Sequence, residues 1–563
     1  GGHGDDSIIG STFTNNIAYD TNRGGGAIYW TQGSVIAAGG LIKDSIFINN
    51  TAAGRHGGAI DWFHALDSVI DNCLFVNNTS KSDGGALYTG DQGGLSKNMT
   101  IVHCQFYNNT AGKYGGAIAN QMADSYLYNN TFDHNKAMAG GGSILMKEGP
   151  ADNCIIDNCY IYNSYVGTLS AGYGEGGGAI LLGVSGDDNI TISNCVIWNS
   201  TIARGPGGAI AIFGKLCSLI NVSIENASTQ HGDGGAIYWK GTSGNLDNVT
   251  IFNASSNSNG GDRSSDGGAI HLSGWDSTLN DIKIYESSAN NDENCAKTNY
   301  GGAIYVSGSY DVLTNIVIDN SSSTNAKMNA GRGAIFYDGY GGTLINATIS
   351  NTLATGNGGA IYWKDGNTLN NVTIIGSRAV TDDGTSYGGA VFSERQYGSN
   401  SIWVYNSTFE ENNADLGGGL YFNKLTSRIY DSTFTGNVAN RDGGALYANA
   451  EDALVYTTTF DHNSAKRGGA IFAENAQVQI SDSLLEFNTA EEKGGALYYN
   501  YNNKATSGQI LRTSLLNNTA FQGSAIYGTK FNKFSLVDTI LLDNQANSNK
   551  FINKAVGVDE EGH

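Results

Sequence analysis

The amino-acid sequence predicts an all-β protein, a parallel β-helix of about 18 coils, and three observations carry that expectation. A phrase of the form GGAIY returns from one end of the chain to the other. Its alanine column falls at Ala27, Ala59, Ala86, Ala117, Ser143, Ala179, Ala209, Ala236, Ala269, Ala303, Ala334, Ala360, Ala390, Gly419, Ala445, Ala470, Ala496 and Ala525. A second phrase precedes each copy at a near-constant offset, as in SIFINNTA (Ser45 to Ala52) and CQFYNNTA (Cys104 to Ala111). The composition pairs 79 glycines with only two prolines, which suits a chain that turns often yet keeps its N–H groups for ladder hydrogen bonds.

Each column of the repeat has a physical reading. The glycine pair fits a corner that needs positive φ and close approach of neighbouring coils. The aliphatic residue after the alanine (Ile28, Leu87, Val391, Ile526) is expected inside the stack. The next column admits Tyr29, Asp61, Ala119, His271 and Phe392, and strand alternation places it in solvent. In the second phrase a small inward residue (Ser45, Cys73, Val222, Ser432) alternates with an outward one and an inward Phe or Ile. Asn50, Asn78 and Asn109 are expected to form an amide ladder at the corner that follows. Coils stacked at about 4.8 Å would give a rod on the order of 85 to 90 Å long.

Domain organisation follows from the same count. Residues 1–546 read as a single β-helix: FxxN coils over 11–140, IxN coils with long loops over 141–400, and FxxN coils again over 401–546. Residues 547–563 read as a cap or linker tail. The segment before the glycine pair lengthens at Gly167 to Gly176, Asn257 to Asp266 and Asn290 to Tyr300, and less so at Thr324 to Gly331 and Val380 to Tyr387. Insertions gathered on one edge of a solenoid commonly build its binding surface, and drift at a tolerant loop is the alternative. Candidate binding residues are therefore Tyr173 and Glu175, Asp262, Arg263 and Asp266, Asp292 and Glu293, and Asp382 with Asp383.

Charge and hydropathy narrow the partners. A net charge of −21 with 31 scattered basic residues argues against nucleic acid. No apolar run is long enough to cross a bilayer as a helix, so direct membrane insertion is not expected. The start at Gly1 reads as a mature chain or an excised fragment.

Repeats that pair GGA[I/L/V] with FxxN resemble those of chlamydial polymorphic outer membrane proteins and of adhesin-like surface proteins of methanogenic archaea, over Ser11 to Tyr527, and the IxN coils look more like the archaeal ones. The resemblance implies a right-handed, pectin-lyase-like β-helix, exported to the extracellular face of the cell surface, with adhesion as the usual role. Residues 1–563 are not expected to include the translocating barrel of the chlamydial family or an anchoring segment after the last coil.

Catalytic and metal chemistry is thinly represented. Glycoside hydrolysis needs two carboxylates across the scissile bond. The adjacent pairs Asp187–Asp188 and Asp382–Asp383 point to opposite faces in loop-like sequence. No zinc spacing is present, and His134 and His462 both occur in FDHN, where surface position explains them. Asn291 to Asn294 (NDEN) offers calcium ligands, but the glycine-rich nonapeptide of calcium β-rolls is missing, and no cofactor is expected. Cys73 with Cys104, and Cys159 with Cys195, share a column in neighbouring coils at disulfide distance, although free thiols serving as small core residues fit stacked, parallel side chains better.

Seventeen Asn-x-Ser/Thr sequons occur, and Asn49, Asn77, Asn108, Asn199, Asn226, Asn253, Asn320 and Asn517 occupy corresponding corners where sugar would point outward. The tyrosines after GGAI would form an outward stripe, stacked on one another in preference to serving as a carbohydrate platform. The expected role is a non-enzymatic adhesin or display rod binding a cell-surface protein or a carbohydrate through the middle loops. A polysaccharide-active enzyme of the same fold and a self-associating structural subunit are the rivals.

Overall fold

In the computed structural model, residues 6–31, 39–63, 66–90, 96–146, 152–168, 175–183, 189–258, 265–291, 298–325, 331–365, 367–382, 384–396, 401–449, 452–500, 506–529, 531–546 and 556–558 are described. The chain divides into two compact units, Gly1–Lys297 and Thr298–His563. Each is a parallel β-solenoid, and no helix occurs among the described residues.

A coil of the first unit runs through Leu66–Asp71, Leu74–Val76, Thr79–Ser80 and Leu87–Gly90. Each strand pairs in parallel with its counterpart one coil later, Lys97–Val102, Gln105–Tyr107, Thr110–Ala111 and Ile118–Asn120. The second unit repeats the plan, for instance with Thr426–Tyr430, Thr433–Thr435, Val438–Asp442 and Leu446–Asn449 against the coil that follows. Residues of one column therefore sit directly over one another. Phe47, Phe75, Phe106 and Phe132 stack in the first unit with centroids 4.8 to 4.9 Å apart, and Phe434 and Phe460 do so at 4.8 Å in the second. These rings are fully buried, as are Ile60 and Leu87, so the aliphatic column lies inside as expected.

Both glycines of the corner are required. Gly57 has φ +64°, and a Cβ there would meet the Ile60 carbonyl at 2.2 Å. At Gly58 a Cβ would strike the Gly85 carbonyl of the next coil at 1.9 Å, so no larger residue fits between coils.

The asparagine ladder is present in both units. In the first, Asn16, Asn50, Asn78 and Asn109 each donate Nδ2 to the Oδ1 of the next, ending at Asn135, over 2.8 to 3.0 Å. In the second it runs Asn412, Asn437, Asn463, Asn488, Asn518 and Asn544 at 3.0 Å. Each rung also accepts a backbone N–H from the coil before and donates to a carbonyl there, as Asn463 does with the N–H of Asn437 and the carbonyl of Phe434. Every polar atom at this buried corner is thereby satisfied.

Replacement of Phe by Ile in the middle coils accompanies a change of corner. The ladder position becomes Ser164, Ser200 or Ala227 in the first unit and Ser321, Thr352 or Ser377 in the second. At the preceding corner, Ser or Cys gives way to Val222, Val249 and Ile282, or to Ile316, Ala347 and Val372. These aliphatic corners pair backbone to backbone, and the two flanking strands fuse into single strands such as Ser218–Glu225 and Thr343–Ser350. Where the corner is Ser, Thr or Cys, its side chain takes over the backbone N–H of the previous coil, as Ser432 Oγ does for Ser407 at 3.2 Å.

One expectation is overturned. The column after GGAI faces away from the core yet is not in solvent: Asp61, Ala119, His271 and Phe392 are all buried, while Tyr29 and Tyr238 are half-buried. The segment leading into the glycine pair folds back over this column as a second layer. Tyr114 packs on it in the first unit, and Tyr300 and Tyr387 do so in the second. Strand alternation is intact, but a coil corner covers one outward face.

Of the tail after Ala546, Val556–Val558 is described, and it pairs in parallel with Ile526–Gly528.

Candidate functional site

The covered column differs in chemistry from coil to coil. In the second unit it is aromatic throughout: Tyr305, Phe336, Tyr362, Phe392, Tyr421, Tyr447, Phe472, Tyr498 and Tyr527 form one buried cluster. Cations close it from above. Arg332 lies 4.6 Å over Tyr362, and Arg467 lies 5.3 Å over Phe472 while making a two-pronged bond to the buried Asp442 at 2.7 and 2.8 Å. The Tyr362 and Tyr447 hydroxyls donate to Glu394 and Glu474. These rings form a stacked ladder, and burial removes them as an exposed sugar platform.

In the first unit polar groups enter the same layer. Asp61 is 3% exposed; its Oδ2 accepts the Gly24 N–H at 2.8 Å, and its Oδ1 is buried without a hydrogen-bond partner. Burial pushes its carboxyl up to about 6, against the opposing pull of the Gly24 N–H, His56 and Arg55. Beside it, His56 stacks on Tyr88 at 4.3 Å and meets Asp83 at 3.2 Å. Further along, Asp233, Asp266 and His271 bring their ligand atoms within 4.8 Å of one another, with His271 also 5.0 Å from Tyr238.

An aromatic surface lies on the outer face of the first unit and straddles one corner. Tyr126 and Tyr128 project from one arm with ring centroids 5.6 Å apart. Tyr160, Tyr162 and Trp198 project from the other, Tyr162 directly beneath Trp198 in register, and Tyr165 follows under the Lys136 ammonium at 5.2 Å. Trp198 and Tyr160 are each 38% exposed. Hydrogen-bonding groups sit among the rings. Asp157 accepts from Ser193 Oγ at 2.8 Å and Asn194 Nδ2 at 2.7 Å, and Tyr126 reaches its other oxygen at 3.5 Å. From Asn194 a shallow hollow continues over three coils, lined by Asn194, Asn221 and Asn248 with Val196, Ser223 and Thr250. Its amides are chained Nδ2 to Oδ1 at 2.7 and 3.1 Å. Rings that offer a flat apolar face beside fixed carboxamides and carboxylates match the alternating C–H and O–H faces of a sugar.

The residues singled out in the sequence fare differently. Tyr173, Asp262, Arg263, Asp292, Glu293 and Asp383 lie outside the described residues, as does most of NDEN. Glu175 is half-buried with its N–H on the Ala139 carbonyl at 2.8 Å, and Asp382 is exposed. Asp266 alone joins a cluster, with two partners that sequence reading passed over. The sequon asparagines occupy a corner with φ near +55°, exposed except for half-buried Asn226. There Asn108 bonds Asn77, Asn199 bonds Asn163 and Asn253 bonds Asn226, each at 2.7 Å.

Cys73, Cys104, Cys159 and Cys195 are buried free thiols. Each donates to the carbonyl two residues earlier, over 3.0 to 3.3 Å, and Cys104 and Cys195 also accept the N–H of Cys73 and Cys159 at 3.4 Å. They do what serine does at this corner in other coils. Burial pushes the nearby Cys154 thiol up to about 12.

The outer aromatic set does not follow from the GGAI column, which carries other tyrosines of the repeat. Its signal was present in SYLYNN (Ser125 to Asn130) and CYIYNS (Cys159 to Ser164), where both outward positions of a three-residue strand are tyrosine.

Five segments of the chain, residues 10–29, 72–90, 103–121, 431–449 and 457–474, match the family model of the Chlamydia polymorphic membrane protein repeat. The first three lie in the first unit and the last two in the second, all in coils of the FxxN type. A comparison with curated proteins gave no match.

Proposed function

We propose that this chain is a non-enzymatic, extracellular adhesin module displayed at the cell surface, and that it holds carbohydrate on the outer face of its first unit. The polymorphic membrane protein repeats support a surface or outer-membrane association. The observation that carries the ligand class is the run of rings made by exposed Tyr160 and Trp198 with half-buried Tyr126, Tyr128 and Tyr162, beside the Asn194–Asn221–Asn248 hollow. Such rings would ordinarily be a liability on an exposed sheet, and sugar stacking gives them a use.

A glycan panel read by direct binding tests the proposal. Ring contacts of about 0.5 to 1.5 kcal/mol each predict that Trp198→Ala and Tyr160→Ala weaken sugar binding by roughly 3- to 10-fold apiece. Binding that ignores both substitutions, or no binding across the panel, sinks the carbohydrate assignment.

A further inference from the structure

Among the coils of the first unit, one place in the covered layer assembles three ligands from two columns of the repeat. Asp233 and Asp266 immediately precede the glycine pairs of consecutive coils, and His271 follows the isoleucine of the second. Their side-chain ligand atoms all lie within 4.8 Å of one another, and Asp233 Oδ1 also accepts the Asp266 N–H at 3.0 Å. Asp266 and His271 are each 7% exposed, while Asp233 is half-buried and leaves one side open.

Elsewhere in this layer a carboxylate meets a single cationic partner, as Asp83 meets His56 and Asp442 meets Arg467. Here two carboxylates converge on one imidazole. A neutral imidazole nitrogen is the form in which histidine binds metals. Two carboxylate oxygens and one imidazole nitrogen suit zinc, whose bonds of about 2.0 to 2.2 Å call for ligand atoms about 3.4 Å apart. Side-chain adjustment of about an ångström closes the cluster to that spacing, and the open side admits a fourth ligand such as water.

We propose that Asp233, Asp266 and His271 form a binding site for one divalent zinc-type ion. The ion would tie two consecutive coils together at the exit of the 257–266 insertion. Ser265, the residue beside Asp266, is already fastened by its hydroxyl to the Asn290 carbonyl at 3.0 Å and to Asn291 Oδ1 at 2.6 Å, so the ion would complete an anchored loop base. The site does not depend on the carbohydrate reading, and either can fail without the other.

The full chain, freed of metal by chelator, is titrated with Zn²⁺ against a chromophoric competitor. One ion per chain is expected, with His271→Gln and Asp233→Asn each weakening it at least about 100-fold. Asp233→Asn keeps an acceptor for the Asp266 N–H, and far-UV circular dichroism verifies folding of both variants. X-ray absorption on the unmodified zinc-loaded chain should show one imidazole and oxygen donors without sulfur, and His56→Gln should bind as the unmodified protein does. Absence of stoichiometric zinc, a sulfur-containing shell, or undiminished binding by both variants overturns the proposal.

Discussion

The two units carry the same covered column and use it differently. In the second unit nine aromatic rings stack without interruption from Tyr305 to Tyr527 under Arg332 and Arg467. In the first, Asp61, Tyr88, Ala119, Leu145, Leu181, Ala211, Tyr238 and His271 share the position, and the layer above them supplies His56, Asp83, Asp233 and Asp266. The covering is constant while the chemistry beneath it varies. A ring ladder stacks like on like, with tyrosine hydroxyls such as those of Tyr362 and Tyr447 bonded to Glu394 and Glu474, so it contributes stability. A column that admits carboxylates and imidazoles gives up some of that and gains groups able to bind something.

Three substitutions would sharpen or break this contrast. Phe472→Ala removes a fully covered ring from the ladder and should cost the second unit about 3 to 5 kcal/mol in denaturant unfolding. The isosteric place in the first unit already holds Ala119, with no ring to lose. A loss under about 1 kcal/mol would mean the ladder is dispensable.

Asn463→Ala interrupts the amide ladder in the same unit. It leaves the N–H of Asn437 and the Phe434 carbonyl without these partners and strips Asn437 Nδ2 of one of its two acceptors in a buried corner, for a cost of about 2 to 4 kcal/mol. Hydrogen exchange should show the damage focused on that corner and its two neighbouring coils.

The smallest effect has the opposite sign. Asp61 titrates near 6 in the folded first unit against an ordinary value of 3.8, so the folded form holds its proton more tightly. Its contribution to stability is therefore present below pH 4 and is lost as the pH rises through about 6. Asp61→Asn should flatten that slope and stabilise the first unit above pH 6 by about 1 to 2 kcal/mol. Unchanged pH dependence of unfolding would place the carboxyl in water.

Much of the fold was legible because repetition turns one chain into many aligned observations. Ile60, Leu87, Phe75 and Asn78 could be assigned inside from column identity alone, and so could the need for Gly57 and Gly58. The covered column was misread because period-two alternation tells which way a side chain leaves its strand and nothing about what lies beyond. Asp61 and His271 looked like the residues of a wet surface. Nor could spacing reveal the Asp233–Asp266–His271 cluster, since Asp233 belongs to the coil before the one that holds Asp266 and His271 and meets them only through parallel stacking. The Tyr126 to Trp198 face was within reach, had the outward columns of the second phrase been read as closely as those after GGAI.

The asparagine corner has a further consequence. In each unit every rung donates toward the following coil and accepts from the preceding one, so the amide dipoles line up head to tail and the stack has a direction. A coil duplicated whole by recombination would present the same donors ahead and the same acceptors behind as its template, and would splice into the array without refitting its neighbours. Gain or loss of complete turns is thus a low-penalty route by which this lineage can vary its length, whereas inserting half a turn would reverse inside and outside.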